Sequence, residues 1–293
     1  EKQYLLDTID AEINDKRTYA TIRCKDVMCA EELCSIKKYG YREDAMKITP
    51  ESAAKAYEEL LRTARVEIMF EGCGDPTLAK DIFAQKFADV KREPIELSRS
   101  LVKAQRGAVK EETERMEVKQ GKLVMGFRVE GIEDYRRMNM ARITFALFGG
   151  TANSLLFKNV REKMSLCYYC SSGYDRSNSI MMVSSGVEAE NAQKARDEVL
   201  HQLEMLKNGE FTDRELEETK LFIRTALMAT GDSLGAMDSW YLAQTVGGSA
   251  VSPEMEIELS AQVSREDVIW VANHTHLDTV YMLMPNENQK EAE

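Results

Sequence analysis

Two segments of the chain repeat one pattern, a capped helix followed by a strand with alternating side chains. Residues 48–70 open with Thr49 and Pro50, which are typical of the first positions of a helix, and end in an alternating run. Residues 263–283 open at Ser264 and repeat the order of elements over a nearly equal length. A repeated helix and strand is common, but here it indicates a chain built from two related halves.

Size and charge narrow the class of protein. With 293 residues the chain is too long for one small core, and we expect two domains. The net charge is -11 without a dense cluster of Lys and Arg, which argues against a nucleic-acid partner. No apolar run has the length that crosses a bilayer, so no membrane contact is expected. Six cysteines in so long a chain fit reduced thiols and a cytoplasmic location.

The middle of the chain holds a distinctive order of residues. A phenylalanine and two glycines begin it, a Ser-Leu-Leu-Phe helix follows, and an Arg-Glu-Lys run leads to a Leu-Cys-Tyr strand. In this chain these are Phe148-Gly149-Gly150-Thr151, Ser154-Leu155-Leu156-Phe157, Val160-Arg161-Glu162-Lys163 and Leu166-Cys167-Tyr168. The order closely resembles the C-terminal half of the insulinase/pitrilysin metallopeptidase family, the inverzincins.

The resemblance covers nearly the whole chain and implies its fold. We expect an α+β protein of two homologous halves, each an antiparallel sheet with helices packed on one face. Residues 1–87 would be the C-terminal remnant of the first half, 88–118 a linker, and 119–293 the second half. Because Glu1 falls inside a helical pattern, the first half is expected to be truncated at its N-terminus.

Active members of this family bind zinc through a His-x-x-Glu-His motif and a glutamate on a later helix. His201, His274 and His276 lie in no such motif. If Glu1 aligns with the glutamate that precedes the family's ligand by seven positions, the ligand position falls on Thr8. A neutral hydroxyl is a poor zinc ligand beside a carboxylate. We therefore predict no metal or other cofactor in this chain, and zinc in a partner subunit.

In the same family the C-terminal half supplies an arginine and, seven residues later, a tyrosine, which contact the substrate at the zinc site. Arg161 and Tyr168 stand at that spacing. A phenol is a suitable donor to the oxyanion of a tetrahedral intermediate, and a guanidinium can hold a peptide carbonyl. Outside this motif, a surface ion pair and packing in a sheet would be the ordinary interpretation of the two residues.

The cysteines form no recognisable site in the sequence. Cys167 and Cys170 make a Cys-x-x-Cys string, but residues three apart on a strand point to opposite faces, so the thiols are not expected to meet. Cys24, Cys29 and Cys34 recur every five residues, which fits neither one helix face nor a metal-binding spacing. Structural cysteines are the expectation for Cys167 and Cys170.

Three functions are compatible with these patterns. The first is a zinc-lacking subunit of a two-protein bacterial peptidase, resembling the type associated with elongation-factor P modification. It would act on peptides with a zinc-bearing homologous subunit in a heterodimer, and would not be active alone. The second is an inactive structural or assembly protein of the same fold. Self-association is the alternative to the heterodimer. The third is a fragment of an active zinc peptidase.

Overall fold

The computed structural model describes residues 1–96 and 107–286. The strands within these ranges are β1 (Lys110–Met116), β2 (Gly121–Val129), β3 (Cys167–Asp175), β4 (Ile180–Val187) and β5 (Thr275–Pro285). The α-helices are α1 (Lys2–Ala11), α2 (Lys16–Met28), α3 (Arg42–Lys47), α4 (Pro50–Thr63), α5 (Pro76–Phe87), α6 (Tyr135–Phe145), α7 (Ala192–Lys207), α8 (Asp213–Met228), α9 (Leu234–Val246), α10 (Pro253–Ala261) and α11 (Arg265–Asn273). The predicted linker and second half reach outside the described residues at 97–106 and 287–293.

The described residues form two compact units. The sheet unit consists of residues 12–36, 107–229 and 251–286, and the helical unit of residues 1–11, 37–96 and 230–250. The division predicted at residues 87 and 118 stays a prediction. No helix among the described residues combines the length and the apolar character needed to span a membrane.

The sheet unit is built on five strands in the order β1-β5-β2-β4-β3. Strand β2 pairs antiparallel with β4 and β5, and β3 pairs antiparallel with β4. The α+β architecture predicted from the sequence is confirmed, as is the antiparallel pairing of the strands that follow residue 119. Strand β1 adds a parallel edge beside β5.

Strand β1 lies in the segment that the sequence assigned to the linker. Its charges alternate between the two faces, and Glu112 and Glu114 are half-buried. Glu114 accepts hydrogen bonds from the hydroxyls of Tyr19 (2.9 Å) and Tyr281 (2.5 Å). Arg23 on α2 contacts both carboxylates. The mixed charge of residues 110–116 is therefore the polar lining of an edge strand, and the solvated connection predicted there is wrong for this part.

Helices cover both faces of the sheet. On one face, α2 packs Ala20 and Cys24 against Val124 of β2. Because side chains alternate along a strand, Leu123, Met125 and Phe127 point the other way, and all three are buried. Helices α7 and α11 contact β2 and β5. The resemblance predicts helices on one face of the sheet. The other face is covered by α2, a helix that precedes the sheet in the chain.

The first glycine of the Gly-Gly motif permits a close contact between helix and strand. After α6 the chain continues as a π-helical segment, Ala146–Gly150, packed against β3. A Cβ atom at Gly149 would lie 2.7 Å from the backbone nitrogen of Ser172 and 2.8 Å from its Oγ. Ser172 Oγ in turn donates to the carbonyl of Phe145 at 2.9 Å. Only a residue without a side chain fits between these groups.

Gly149→Ala is therefore expected to destabilise the protein by about 1–3 kcal/mol, the usual cost of forcing a methyl group into a packed interior. The shift of the urea unfolding midpoint measures it. Gly173→Ala in β3 is the matched control, because a Cβ atom there has no neighbour within 4 Å. Equal midpoints for the two variants would contradict the close contact at Gly149.

In the helical unit the predicted helix is confirmed, and the predicted strand is wrong. Thr49 accepts a hydrogen bond from the Ser52 backbone nitrogen in a capping box, and Pro50 opens α4. The run at 66–70, predicted to be a strand, is not one, because no described segment lies beside it as a ladder partner. The helical pattern that includes Glu1 belongs to α1, and Asp15 caps a second helix, α2.

Candidate functional site

Arg161 stands near the end of the π-helical segment Phe157–Lys163. Its side chain is exposed, and its guanidinium carbon lies 4.6 Å from the ring centroid of Phe157. Among the described residues the guanidinium forms no ion pair. The ring beneath it fixes the cation without neutralising it, so the charge stays available to a ligand.

Tyr168 lies at an irregularity near the start of β3. Cys167 is opposite Val187 on β4 and Tyr169 is opposite Gly186, so Tyr168 is an additional residue without a ladder partner. Its side chain is 58% exposed. The bulge thus turns the phenol out of the sheet instead of packing it in the strand.

A carboxylate holds the phenol. The Tyr168 hydroxyl donates to Glu188 Oε1 at 2.9 Å, and Glu188 follows directly after β4. The hydrogen bond to Glu188 and the charge of that carboxylate raise the pKa of Tyr168. The phenol therefore keeps its proton at neutral pH. Spacing in the sequence does not indicate Glu188 as a site residue, because only the β3–β4 register brings it to Tyr168.

The same bulge brings two thiols together. With Tyr168 outside the ladder, Cys167 and Cys170 are two ladder positions apart and point to the same face. The Cys170 thiol donates a hydrogen bond to Cys167, which is the main reason that the pKa of Cys167 falls to about 7; the Ser185 hydroxyl and the Arg161 charge lower it further, against the effect of burial. The prediction that these thiols do not meet is wrong.

The lowered pKa of Cys167 gives an expected pH dependence. The thiolate is the form stabilised in the folded chain, so it should dominate above pH 7 and disappear below it. The rate of Cys167 alkylation by iodoacetamide, followed by mass spectrometry, is expected to rise with a midpoint near pH 7. In urea the midpoint should move towards about 8.5, the ordinary thiol value. Equal midpoints in the folded and unfolded chain would contradict the assignment.

Thr8 lies on α1, with its hydroxyl turned back to its own helix. Its Oγ1 donates to the carbonyl of Tyr4 at 2.8 Å, and the neighbouring Asp7 accepts from Gln3 Nε2 at 2.8 Å. These side chains are engaged with their own turn of helix and do not gather around a common point. The residues at this position therefore do not fit the zinc ion of the active family members.

The helical unit contains an apolar cavity of about 600 Å³. It is lined by residues of the 66–70 segment and of α5, including Phe70, Phe83 and Phe87. Neither Arg161 nor Tyr168 belongs to its lining. The cavity is therefore a separate feature from the predicted site.

The sequence and the fold match known proteins. A family model described as the peptidase M16 inactive domain matches residues 47–221. The chain is 28% identical over 289 residues to the "Probable inactive metalloprotease YmfF" of Bacillus subtilis, and the match covers 98% of this chain and 67% of that protein.

Solved structures share the fold. A conserved protein from Enterococcus faecalis superposes with a TM-score of 0.87 at 24% identity, over 97% of this chain and 67% of its own. A peptidase M16 inactive domain from Pseudomonas fluorescens superposes with a TM-score of 0.79 at 20% identity, over 97% and 69%. The family resemblance carried by residues 148–168 is confirmed, and the chain belongs to the peptidase M16 inactive domain family.

Proposed function

We propose that this chain is the zinc-lacking subunit of a two-protein metallopeptidase, and that it contributes Arg161 and Tyr168 to a peptide site shared with a zinc-bearing partner. The observation that carries the proposal is the bulge in β3, which leaves the Tyr168 phenol exposed beside Cys167. Arg161 acts electrostatically on that same cysteine, so the arginine and the tyrosine share one end of β3.

Each side chain suits one task. A protonated phenol donates a hydrogen bond to the oxygen that becomes negative when the peptide carbonyl is attacked. The raised pKa of Tyr168 keeps that proton in place. The guanidinium of Arg161 can hold a substrate carbonyl nearby. The partner's zinc would supply the activated water.

Glu188 sets the starting position of the phenol. In the free chain the proton of Tyr168 is donated to this carboxylate. A substrate oxyanion would accept the hydrogen bond of the Tyr168 hydroxyl in place of Glu188. This exchange is favourable only when the substrate oxygen carries negative charge. Glu188 thereby acts as a positioning residue, because it orients the phenol before the substrate arrives.

Reconstitution tests the proposal. The full-length protein is mixed with an M16 homologue that carries His-x-x-Glu-His, and cleavage of a library of internally quenched peptides is followed. We expect activity in the mixture, lost on chelation, and none from either protein alone. An assembled but inactive pair would favour the structural or assembly protein. Cleavage by the full-length protein alone would favour an active peptidase of which this chain is a fragment.

A further inference from the structure

A second group of polar side chains lies at the C-terminal end of α2, in the sheet unit. Cys29 caps the helix, and the backbone nitrogen of Glu32 donates to the Cys29 carbonyl at 2.8 Å. A 3₁₀ turn at Leu33–Ser35 then brings Cys34 back. The two sulfur atoms and a Glu32 carboxylate oxygen all lie within 4.8 Å of one another. In the described part of the chain, no other three potential metal ligands come so close.

One oxygen of Glu32 lacks a partner. Arg128 Nη2 donates to Glu32 Oε1 at 2.5 Å, which fixes the orientation of the carboxylate. The other oxygen, Oε2, is buried and has no hydrogen-bond partner among the described residues. A buried carboxylate oxygen without a partner is costly, and native proteins rarely leave one. Glu32 Oε2 is therefore a candidate ligand for a cation.

The net charge of the ionic groups around Glu32 is compatible with a bound divalent cation. Arg128 is paired with two carboxylates, since its Nε also donates to Asp278 Oδ2 at 2.7 Å. The three ionic groups together carry a charge of about −1 at neutral pH. When two thiols bind a divalent cation they release two protons, so this net charge does not change. The cation would give Glu32 Oε2 a partner and would not change the net charge of this buried group.

We propose that Cys29, Glu32 and Cys34 form a binding site for a thiophilic divalent cation, for which Zn²⁺ is the best match. Two thiolates and a carboxylate are established zinc ligands, and ligands of one tetrahedral ion lie about 3.8 Å apart. The three ligand atoms lie within 4.8 Å of one another, about 1 Å above that value at most. Arg128 donates to Glu32 and would orient this carboxylate, as an outer hydrogen-bond partner does for a metal ligand.

This site is not the zinc site of active family members. It has no histidine pair and lies on a turn that closes α2. The five-residue spacing of Cys24, Cys29 and Cys34 fits no metal-binding pattern in the sequence, and no metal is predicted from it. The 3₁₀ turn accounts for the difference, since it folds Cys34 back onto Cys29. A bound ion would clamp this turn to the helix, with water at the fourth position on the side of the half-exposed Cys34.

Cobalt substitution tests the site. The full-length protein is reduced, freed of metal and titrated with Co²⁺. We expect one equivalent to give the visible bands of tetrahedral cobalt with a thiolate-to-cobalt charge-transfer band in the near ultraviolet. Zn²⁺ should abolish both. Absence of the charge-transfer band would overturn the proposal.

Variants assign the ligands. Cys34→Ser should weaken zinc binding at least about 100-fold, because loss of an outer partner alone costs 10–100-fold. Glu32→Gln should change the cobalt bands and weaken zinc binding too. Cys73→Ser is the control, since that exposed thiol lies in the helical unit. Circular dichroism verifies that each variant is folded. A cobalt spectrum that is unchanged in a folded Cys34→Ser or Glu32→Gln variant would remove that residue from the site and overturn the proposal.

Discussion

Tyr168→Phe is expected to lower the turnover of the reconstituted peptidase by about 10²–10³-fold, or roughly 3–4 kcal/mol of transition-state stabilisation. The substitution removes one hydroxyl and keeps the ring. The bulge that exposes the side chain belongs to the backbone and should survive. The turnover number at saturating peptide measures the effect, and size-exclusion chromatography verifies that the pair still assembles.

Tyr169→Phe is the matched control for this prediction. The neighbouring phenol is half-buried, and its ring packs under Arg17, with the guanidinium carbon 4.2 Å from the ring centroid. Its loss should leave turnover unchanged. If Tyr168→Phe also leaves turnover unchanged, the phenol has no catalytic role and the structural or assembly function becomes the better proposal.

Arg161→Ala should act on a different kinetic constant. A guanidinium that holds a substrate carbonyl does so before the reaction as well as in the transition state, so its loss should mainly raise KM. The side chain is exposed and its guanidinium lies over the ring of Phe157, so the fold should not suffer. A fall in the turnover number with no change in KM would contradict this role.

Arg128→Met is expected to destabilise the sheet unit by about 3–5 kcal/mol. The Arg128 side chain is 4% exposed and donates to Glu32, Asp278 and the carbonyl of Met28. Methionine matches its length but leaves two carboxylates facing each other without a cation. The urea unfolding midpoint, followed by circular dichroism, measures the loss.

Arg214→Met is the control for a surface ion pair. Arg214 pairs with Glu218 one turn along α8, and its side chain is 87% exposed. Such pairs contribute little because water and salt screen them, so no measurable change is expected. Similar midpoints for the Arg128 and Arg214 variants would show that the buried network does not hold the sheet to the turn after α2.

Local signals in the sequence were sufficient to predict several helices and strands of the fold. Thr49 and Ser264 mark helix starts in the sequence, and both cap helices through capping boxes in the structure. The strand predicted at Leu166-Cys167-Tyr168 is also present, since β3 begins at Cys167. In each case the information lies within a few residues of the element that it specifies.

The features that the sequence did not reveal depend on distant partners. Strand β1 is highly charged, and its charges are explained only by the contacts that they make with Tyr281 and α2. The bulge at Tyr168 exists only relative to β4, so neither the meeting of Cys167 with Cys170 nor the contact to Glu188 follows from spacing. The ladder for residues 66–70 was predicted from alternation alone, which does not supply a neighbouring strand.

The strand order also determines when the sheet unit can fold during synthesis. Strand β5 begins at Thr275, yet it inserts between β1 and β2, which end at Met116 and Val129. Until β5 leaves the ribosome, β1 has no strand to pair with and one edge of β2 stays open. Pairings of such long sequence separation form slowly, and unpaired edges invite aggregation. Completion of the five-stranded sheet must therefore wait for β5.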